Sequence, residues 1–264
     1  MGRSGNAGER EMLSPSSGQM IAAWFSCGAA SAVAAKQTIE KYGSICDIRV
    51  VYNPVIEEDP DNLRFLNDVQ DWLGVKVEIA TNPKFPSCSA KEVWEKYKYM
   101  SGVVGAPCTL HLKKNARVEW EKANKPDYHV LGFTYEEKNR YDNFILSERN
   151  NVLPILIDSR TSKAECFAII NNAGIKLPRI YDLGYPNANC IGCVKAGSVS
   201  YWNLVREKHP EVFKDRAEQS RRLGTKLVVR KGKRIFLDEL LATDKGYRIK
   251  SMHIECGIFC EEKR

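Results

Sequence analysis

Between residues 20 and 173 the sequence alternates short apolar runs with stretches of helical length and spacing. That alternation restricts the fold more than any other feature. "MIAAWFS" (20–26) and "IRVVYN" (48–53) have the length and apolar content of buried strands, whereas 29–42 and 62–73 carry apolar residues at helical intervals. Strand then helix, twice, opens a βαβ unit. "VKVEIA" (75–80), "YHVLGF" (128–133) and "VLPILI" (152–157) add three expected strands, with helices expected over 90–100, 112–122 and 162–173. The expected fold class is α/β: an open, mostly parallel, Rossmann-like sheet.

The flanks read differently. Residues 1–18 are rich in Gly, Ser, Glu and Arg and have little to bury, so they are expected to be a disordered extension. Residues 19–174 form the expected nucleotide-binding α/β domain. From 175 to 264 the texture turns to Pro, Gly, Asn and Cys, with helices expected near 201–208 and 210–223 and a hairpin in "KLVVRKGKRIFL" turning at Lys231 and Gly232. This segment is expected to be a Cys-rich C-terminal subdomain.

No apolar run approaches the ~20 residues of a membrane helix. The 9 cysteines, with no leader-like apolar stretch at the start, point to a reducing compartment and to ligand or redox work rather than disulfides. A cytoplasmic setting is the expectation. The formal net charge of +7, concentrated toward the C-terminal part in stretches such as "RRLGTKLVVRKGKR", suits an anionic partner, either a nucleotide or a nucleic acid.

The stretch "WFSCGAASAVAAK" (24–36) is small-sided where the first strand meets the first helix. In a parallel α/β sheet, that junction presents unpaired N–H groups on which a phosphate can sit. Gly28 lets the backbone approach an anion, Ser26 and Ser31 supply hydroxyl donors, and the alanines let the helix lie close to sheet and ligand. A tightly packed helix without a ligand would use the same residues.

Ser26-Cys27-Gly28-Ala29-Ala30-Ser31 resembles the pyrophosphate-binding loop, Ser-Gly-Gly-x-Asp-Ser, of the adenine nucleotide alpha hydrolase-like (PP-loop) enzymes, whose sheets are of the HUP type. Cys27 stands where that loop has glycine, and Ala30 where it has its acidic residue. The resemblance therefore implies phosphate cradling rather than metal-assisted attack on ATP. "GAPCTLHLKK" (105–114), "VLGFTYEEKNR" (130–140), "IYDLGYPNANCIGCVKAG" (180–197) and "IECGIFC" (254–260) follow in the order of the landmarks of the phosphoadenosine phosphosulfate (PAPS) reductase branch. The set is most similar to short PAPS reductase-domain proteins carried by bacteriophages, which implies a host cytoplasm as location.

Several site residues follow. Lys113 or Lys114, together with Arg140, would hold sulfate or phosphate oxygens by charge-assisted hydrogen bonds, and Gly132 stands at the carboxyl end of an expected strand, where open sheets bind ligands. Glu57, Glu58 and Asp59 fall on the same edge and suit ribose or magnesium, or else an acidic helix start capped by Asp61. Cys190-x-x-Cys193 and Cys256-x-x-x-Cys260 offer four thiolates from two short segments, a set for zinc or a four-iron iron–sulfur cluster. The resemblance brings in Cys108 as a competing ligand beside Cys190 and Cys193, completed by a tail cysteine. It also implies a second role for Cys256, as the nucleophile that attacks the sulfonyl sulfur of PAPS before thioredoxin or glutaredoxin releases sulfite. Phe259 replaces the histidine of that tail.

Three functions are consistent with these residues. The first is a PAPS reductase-like oxidoreductase or transferase acting on an adenylyl sulfate or ATP. The second is a nucleic-acid sulfur-modifying PP-loop enzyme with an iron–sulfur cluster. The third is a non-catalytic nucleotide-binding zinc protein.

Overall fold

A computed structural model describes residues 13–102 and 105–247. His253, Glu255, Cys256, Phe259 and Cys260 lie outside the described residues.

The fold is α/β. Five strands, β1 (Met20–Phe25), β2 (Asp47–Tyr52), β3 (Val77–Ile79), β4 (Tyr128–Val130) and β5 (Val152–Leu153), form one sheet in the order β3-β2-β1-β4-β5, and all four pairings are parallel. Buried on both faces, the central strand reads as an unbroken apolar run rather than an alternating one, which is why its sequence signal is so plain. The strand order reverses between β1 and β4. That switch point opens a crevice at the carboxyl ends of the two strands.

Helix α1 (Ala29–Tyr42) follows β1 and lays Ala32, Val33 and Ala35 against the sheet; α2 (Asp61–Leu73) buries Phe65, Leu66 and Val69 in the same core. After β3 comes α3 (Ala90–Tyr97), started by Ser89, whose hydroxyl accepts from Glu92 N–H, and ended at Lys98 in the left-handed region, φ 50°. The expected helix over 112–122 begins earlier, as a wide π-type turn over Thr109–Lys114 that runs into α4 (Asn115–Asn124). Such turns bulge one residue outward and are frequent at functional sites.

Two local expectations are corrected. Of "VLPILI" only Val152 and Leu153 are strand, because Pro154 has no N–H for the ladder; Ile155–Asp158 is instead a helical turn, α6. Asp61 does not cap α2: Asp59 Oδ1 accepts the Asp61 N–H at 2.9 Å, while Asp61 receives Arg64 and the Arg179 N–H. A helix that the sequence hides, α5 (Lys138–Ser147), buries only Tyr141 and so shows no apolar stripe.

Beyond α7 (Lys163–Asn172) and the short α8 (Arg179–Asp182), helices α9 (Val199–Lys208) and α10 (Pro210–Arg222) precede an antiparallel pair, β6 (Val228–Arg230) and β7 (Lys233–Ile235), joined through Lys231 and Gly232, both at positive φ. Their core is shared. Trp202, Val205, Ile180 and Leu237 pack with Val55, Phe85, Trp94 and Met100, so α3 and the turn before α4 share one core with the C-terminal helices.

Candidate functional site

The loop that leaves β1 is organised by Ser31. Its Oγ accepts from the Ser26 N–H at 3.1 Å, donates to Gly28 O at 2.9 Å and stands 3.1 Å from Ser26 Oγ, closing residues 26–31 into a compact ring. Gly28 caps α1 with ordinary extended backbone, φ −107°, and brings no side chain to the helix end. The left-handed residue is Cys27, φ 54°, at the position where the resembled loop has glycine. A left-handed backbone at a non-glycine residue costs of order 1 kcal/mol, which the rest of the loop must hold in place.

Gly132 comes from the far side of the crevice, two residues past β4. A Cβ there would lie 2.7 Å from Ser31 N and 3.0 Å from Ala30 C, so only glycine lets the β4 edge approach the first turn of α1 this closely. Gly132 thereby shapes the first turn of α1.

Tyr181, on α8, reaches the same place. Its hydroxyl lies 3.4 Å from where a Gly28 Cβ would be, beside the Ala29 N–H, and burial raises its pKa to about 12. Its ring packs on Phe167 at 4.9 Å. Nothing in the spacing of "IYDLGYPNANC" singles out this tyrosine.

From the loop a buried polar chain leads across the sheet edge. Cys27 and Tyr52 share one core cluster, the Tyr52 hydroxyl donates to Glu58 Oε2 at 2.9 Å, and Glu58 Oε1 meets Lys113 Nζ at 3.2 Å. Asn62 Nδ2 also donates to Glu58, at 3.1 Å. Burial, with Glu58 close by, pushes the Cys27 thiol and the Tyr52 phenol well above their ordinary ranges, so both are protonated donors at neutral pH. Lys113 is therefore engaged by Glu58, and Lys114 is the more exposed of the pair.

The other acids serve the scaffold. Glu57 accepts from the Ala90 and Lys91 N–H groups and from Ser89 Oγ, capping α3, while Asp59 holds Arg179 at 2.8 Å. Arg140 is half exposed, 2.5 Å from Glu137 Oε1, with its guanidinium 5.2 Å from the Phe133 ring centre.

Lys113 also lines a small pocket whose walls are Val55, Trp94, Leu112 and Val194 and whose sulfur atoms belong to Cys108, Cys190 and Cys193. The π-type turn brings Cys108 and Lys113 to it. The Cys190-x-x-Cys193 turn is fixed from behind by Tyr201, which takes the Cys193 N–H at 2.8 Å and donates to Cys190 O at 3.2 Å. Gly192, φ 69°, makes the bend, and the buried Arg216 donates to its carbonyl while stacking on Trp94. Ile191 N–H binds Glu57 O at 2.8 Å, tying the turn to the loop after β2.

Three thiols thus face one apolar pocket, a donor set suited to a soft metal or cluster. Among the described residues, no group of three or more His, Cys, Asp or Glu side chains is arranged to hold a metal ion, so these three thiols share a pocket without forming a metal site by themselves. Cys46, Cys88 and Cys166 lie apart as buried small side chains.

No protein-family model and no curated protein matches this chain. Among solved structures 28 chains match. One is the U34-tRNA thiolase NcsA from Methanococcus maripaludis with its 4Fe-4S cluster, at a TM-score of 0.43 and 12% identity, over 79% of this chain and 73% of that one.

Proposed function

We propose that this chain is a PP-loop enzyme that uses an adenine nucleotide to introduce sulfur into a nucleic acid, with an iron–sulfur cluster on its cysteines. The observation that carries the reading is the contiguity of two sites. The small-sided loop at the sheet's switch point and the pocket of Cys108, Cys190 and Cys193 are joined through Tyr52, Glu58 and Lys113.

The nucleotide's phosphates would rest on the first turn of α1 between Ser26, Gly28 and Ser31, with Lys114 and Arg140 as cations at the rim. Tyr181 would yield the Ala29 N–H to the incoming phosphate. Activation then consists of attack by an oxygen of the nucleic acid on the α-phosphorus, which releases pyrophosphate and leaves that oxygen as an adenylate. Sulfide displaces AMP and takes the oxygen's place. Ala30 supplies no carboxylate, so charge stabilisation rests on backbone N–H groups and hydroxyls. Cys108, Cys190 and Cys193 would hold the cluster with one tail cysteine, Cys256 or Cys260, and when bound it supplies the reactive sulfur. The apolar pocket walls keep water from the sulfur site.

Anaerobic protein supplied with ATP, sulfide and single-stranded RNA or DNA tests this. The expected result is AMP and pyrophosphate release that depends on the nucleic acid, with thionucleosides found by mass spectrometry of the digested product. Sulfite release from PAPS, with Cys256 essential and no AMP formed from ATP, would overturn it in favour of a reductase.

A further inference from the structure

Tyr97 closes α3 with its side chain 44% exposed, and its ring lies parallel to that of His111, with centroids 4.4 Å apart and 7° between planes. Phe85 packs against both, 6.3 Å from Tyr97 and 5.2 Å from His111, and completes a small aromatic stack. Asn82 fixes the base of the stack by donating to His111 O at 2.9 Å. Such a preformed pair loses little side-chain entropy when a third flat ring is added.

The frame around it is cationic. Lys84, Lys96 and Lys98 are exposed, and Lys96 Nζ sits 4.8 Å from the Phe85 ring centre. Burial, then Lys96 and Lys84, lower the His111 pKa, which keeps the imidazole neutral beside Tyr97. Glu95, a carboxylate of the same helix, is held by Arg222 and Gln219, and Lys98 Nζ lies 3.8 Å from its Oε2. A buried structural stack has no use for exposed lysines around it.

The stack shares its elements with the cysteine pocket. Ala90 and Trp94 of α3 line that pocket and Tyr97 lies one turn further along; His111 sits in the π-type turn with Lys113, just after Cys108. We infer that Tyr97 and His111, framed by Lys84, Lys96 and Lys98, form a stacking platform for an unpaired base of single-stranded nucleic acid, which guides the strand toward the cysteine pocket. This deepens the proposed function and rests on it for the direction of the strand. The binding chemistry stands on the platform alone: base on aromatic face, phosphates on lysines.

Fluorescence anisotropy with a labelled 12-nucleotide single-stranded RNA, its DNA counterpart and the corresponding duplexes tests the platform. Tyr97→Ala is expected to weaken single-strand binding about 5- to 150-fold, the range of one stacked base, with Tyr97→Phe close to wild type. Lys84→Glu and Lys96→Glu are each expected to flatten the salt dependence by roughly one unit of slope or less. Equal binding of RNA and DNA assigns recognition to base and phosphate; preference for RNA adds the 2′-hydroxyl to the same platform. Wild-type affinity in Tyr97→Ala, no single-strand binding by the wild type, or duplex bound as tightly as single strand would each overturn the inference. Calorimetric ATP binding by Tyr97→Ala is read in parallel: loss of the platform with ATP binding intact separates its failure from that of the nucleotide site.

Discussion

Lys113 Nζ and Glu58 Oε1 meet at 3.2 Å with side chains only 11% and 4% exposed, and this pair joins the turn that carries Cys108 to the loop that follows β2. A nearly buried ion pair is costly to break on one side only, because the remaining charge has no water to replace its partner. Glu58→Gln is therefore expected to destabilise the fold by about 3 kcal/mol, at the lower end for half-broken buried pairs. The double variant Glu58→Gln with Lys113→Met should recover much of that loss. Urea unfolding followed by circular dichroism checks both; equal stability of the two variants would mean that the pair is not coupled.

Gly132→Ala places a methyl group 2.7 Å from Ser31 N, against backbone that cannot rotate away. The expected cost is about 1–3 kcal/mol of stability, with weakened ATP binding because the first turn of α1 must shift. Gly28→Ala makes the contrast. A Cβ there meets the Tyr181 hydroxyl at an ordinary 3.4 Å and the backbone is unstrained, so the fold should be unaffected. Thermal melts of the two variants with and without ATP give the comparison.

Tyr181→Phe removes the hydroxyl that stands at the start of α1, beside Gly28 and the Ala29 N–H. ATP no longer has to displace it, so affinity is expected to rise about 2- to 10-fold, the worth of one modest hydrogen bond of roughly 0.5–1.5 kcal/mol. Calorimetric titration measures this. A fall in affinity would make Tyr181 a direct ligand of the nucleotide.

His129 predicts a pH dependence. Its Nδ1 accepts from Trp24 Nε1 at 3.1 Å, and burial, with Arg149 and Arg117 nearby, lowers its pKa to about 3. The ring is neutral in the folded protein but takes a proton in the unfolded chain below about pH 6.5. Stability should thus fall as pH drops from 6.5 toward 3, by at most about 1.4 kcal/mol per unit from this one group. Asp61 and Glu95, both held at about 2, lose their contributions only below the ordinary carboxylate range, which leaves the window from pH 6.5 to 5 to histidine. His111 and His209 are also lowered and add to the same slope. His129→Gln is expected to flatten stability against pH across that window without removing the slope.

Much of this was legible in the sequence, and the exceptions have physical causes. β1 and α1 were readable because a doubly buried strand is a continuous apolar run and a helix against a sheet must be small-sided. The ring of Ser26, Gly28 and Ser31 follows from the same stretch. α5 was not readable, since one buried tyrosine leaves no periodicity. Tyr52, Tyr181 and Tyr201 act through hydroxyls brought in from distant elements, and local pattern carries no trace of such contacts. Cys108 stands far from Cys190 in sequence; only the π-type turn and the shared core place them on one pocket.

Cys108 and the Cys190-x-x-Cys193 turn are proposed to hold one iron–sulfur cluster beside a nucleotide loop. Iron and acid-labile sulfide, measured with the visible absorption spectrum on anaerobically purified protein and on Cys108→Ser and Cys190→Ser, test it most directly. About four irons and four sulfides per chain with a broad visible absorption are expected, with loss of both in each variant. One zinc and no sulfide, or full iron in Cys108→Ser, would contradict it.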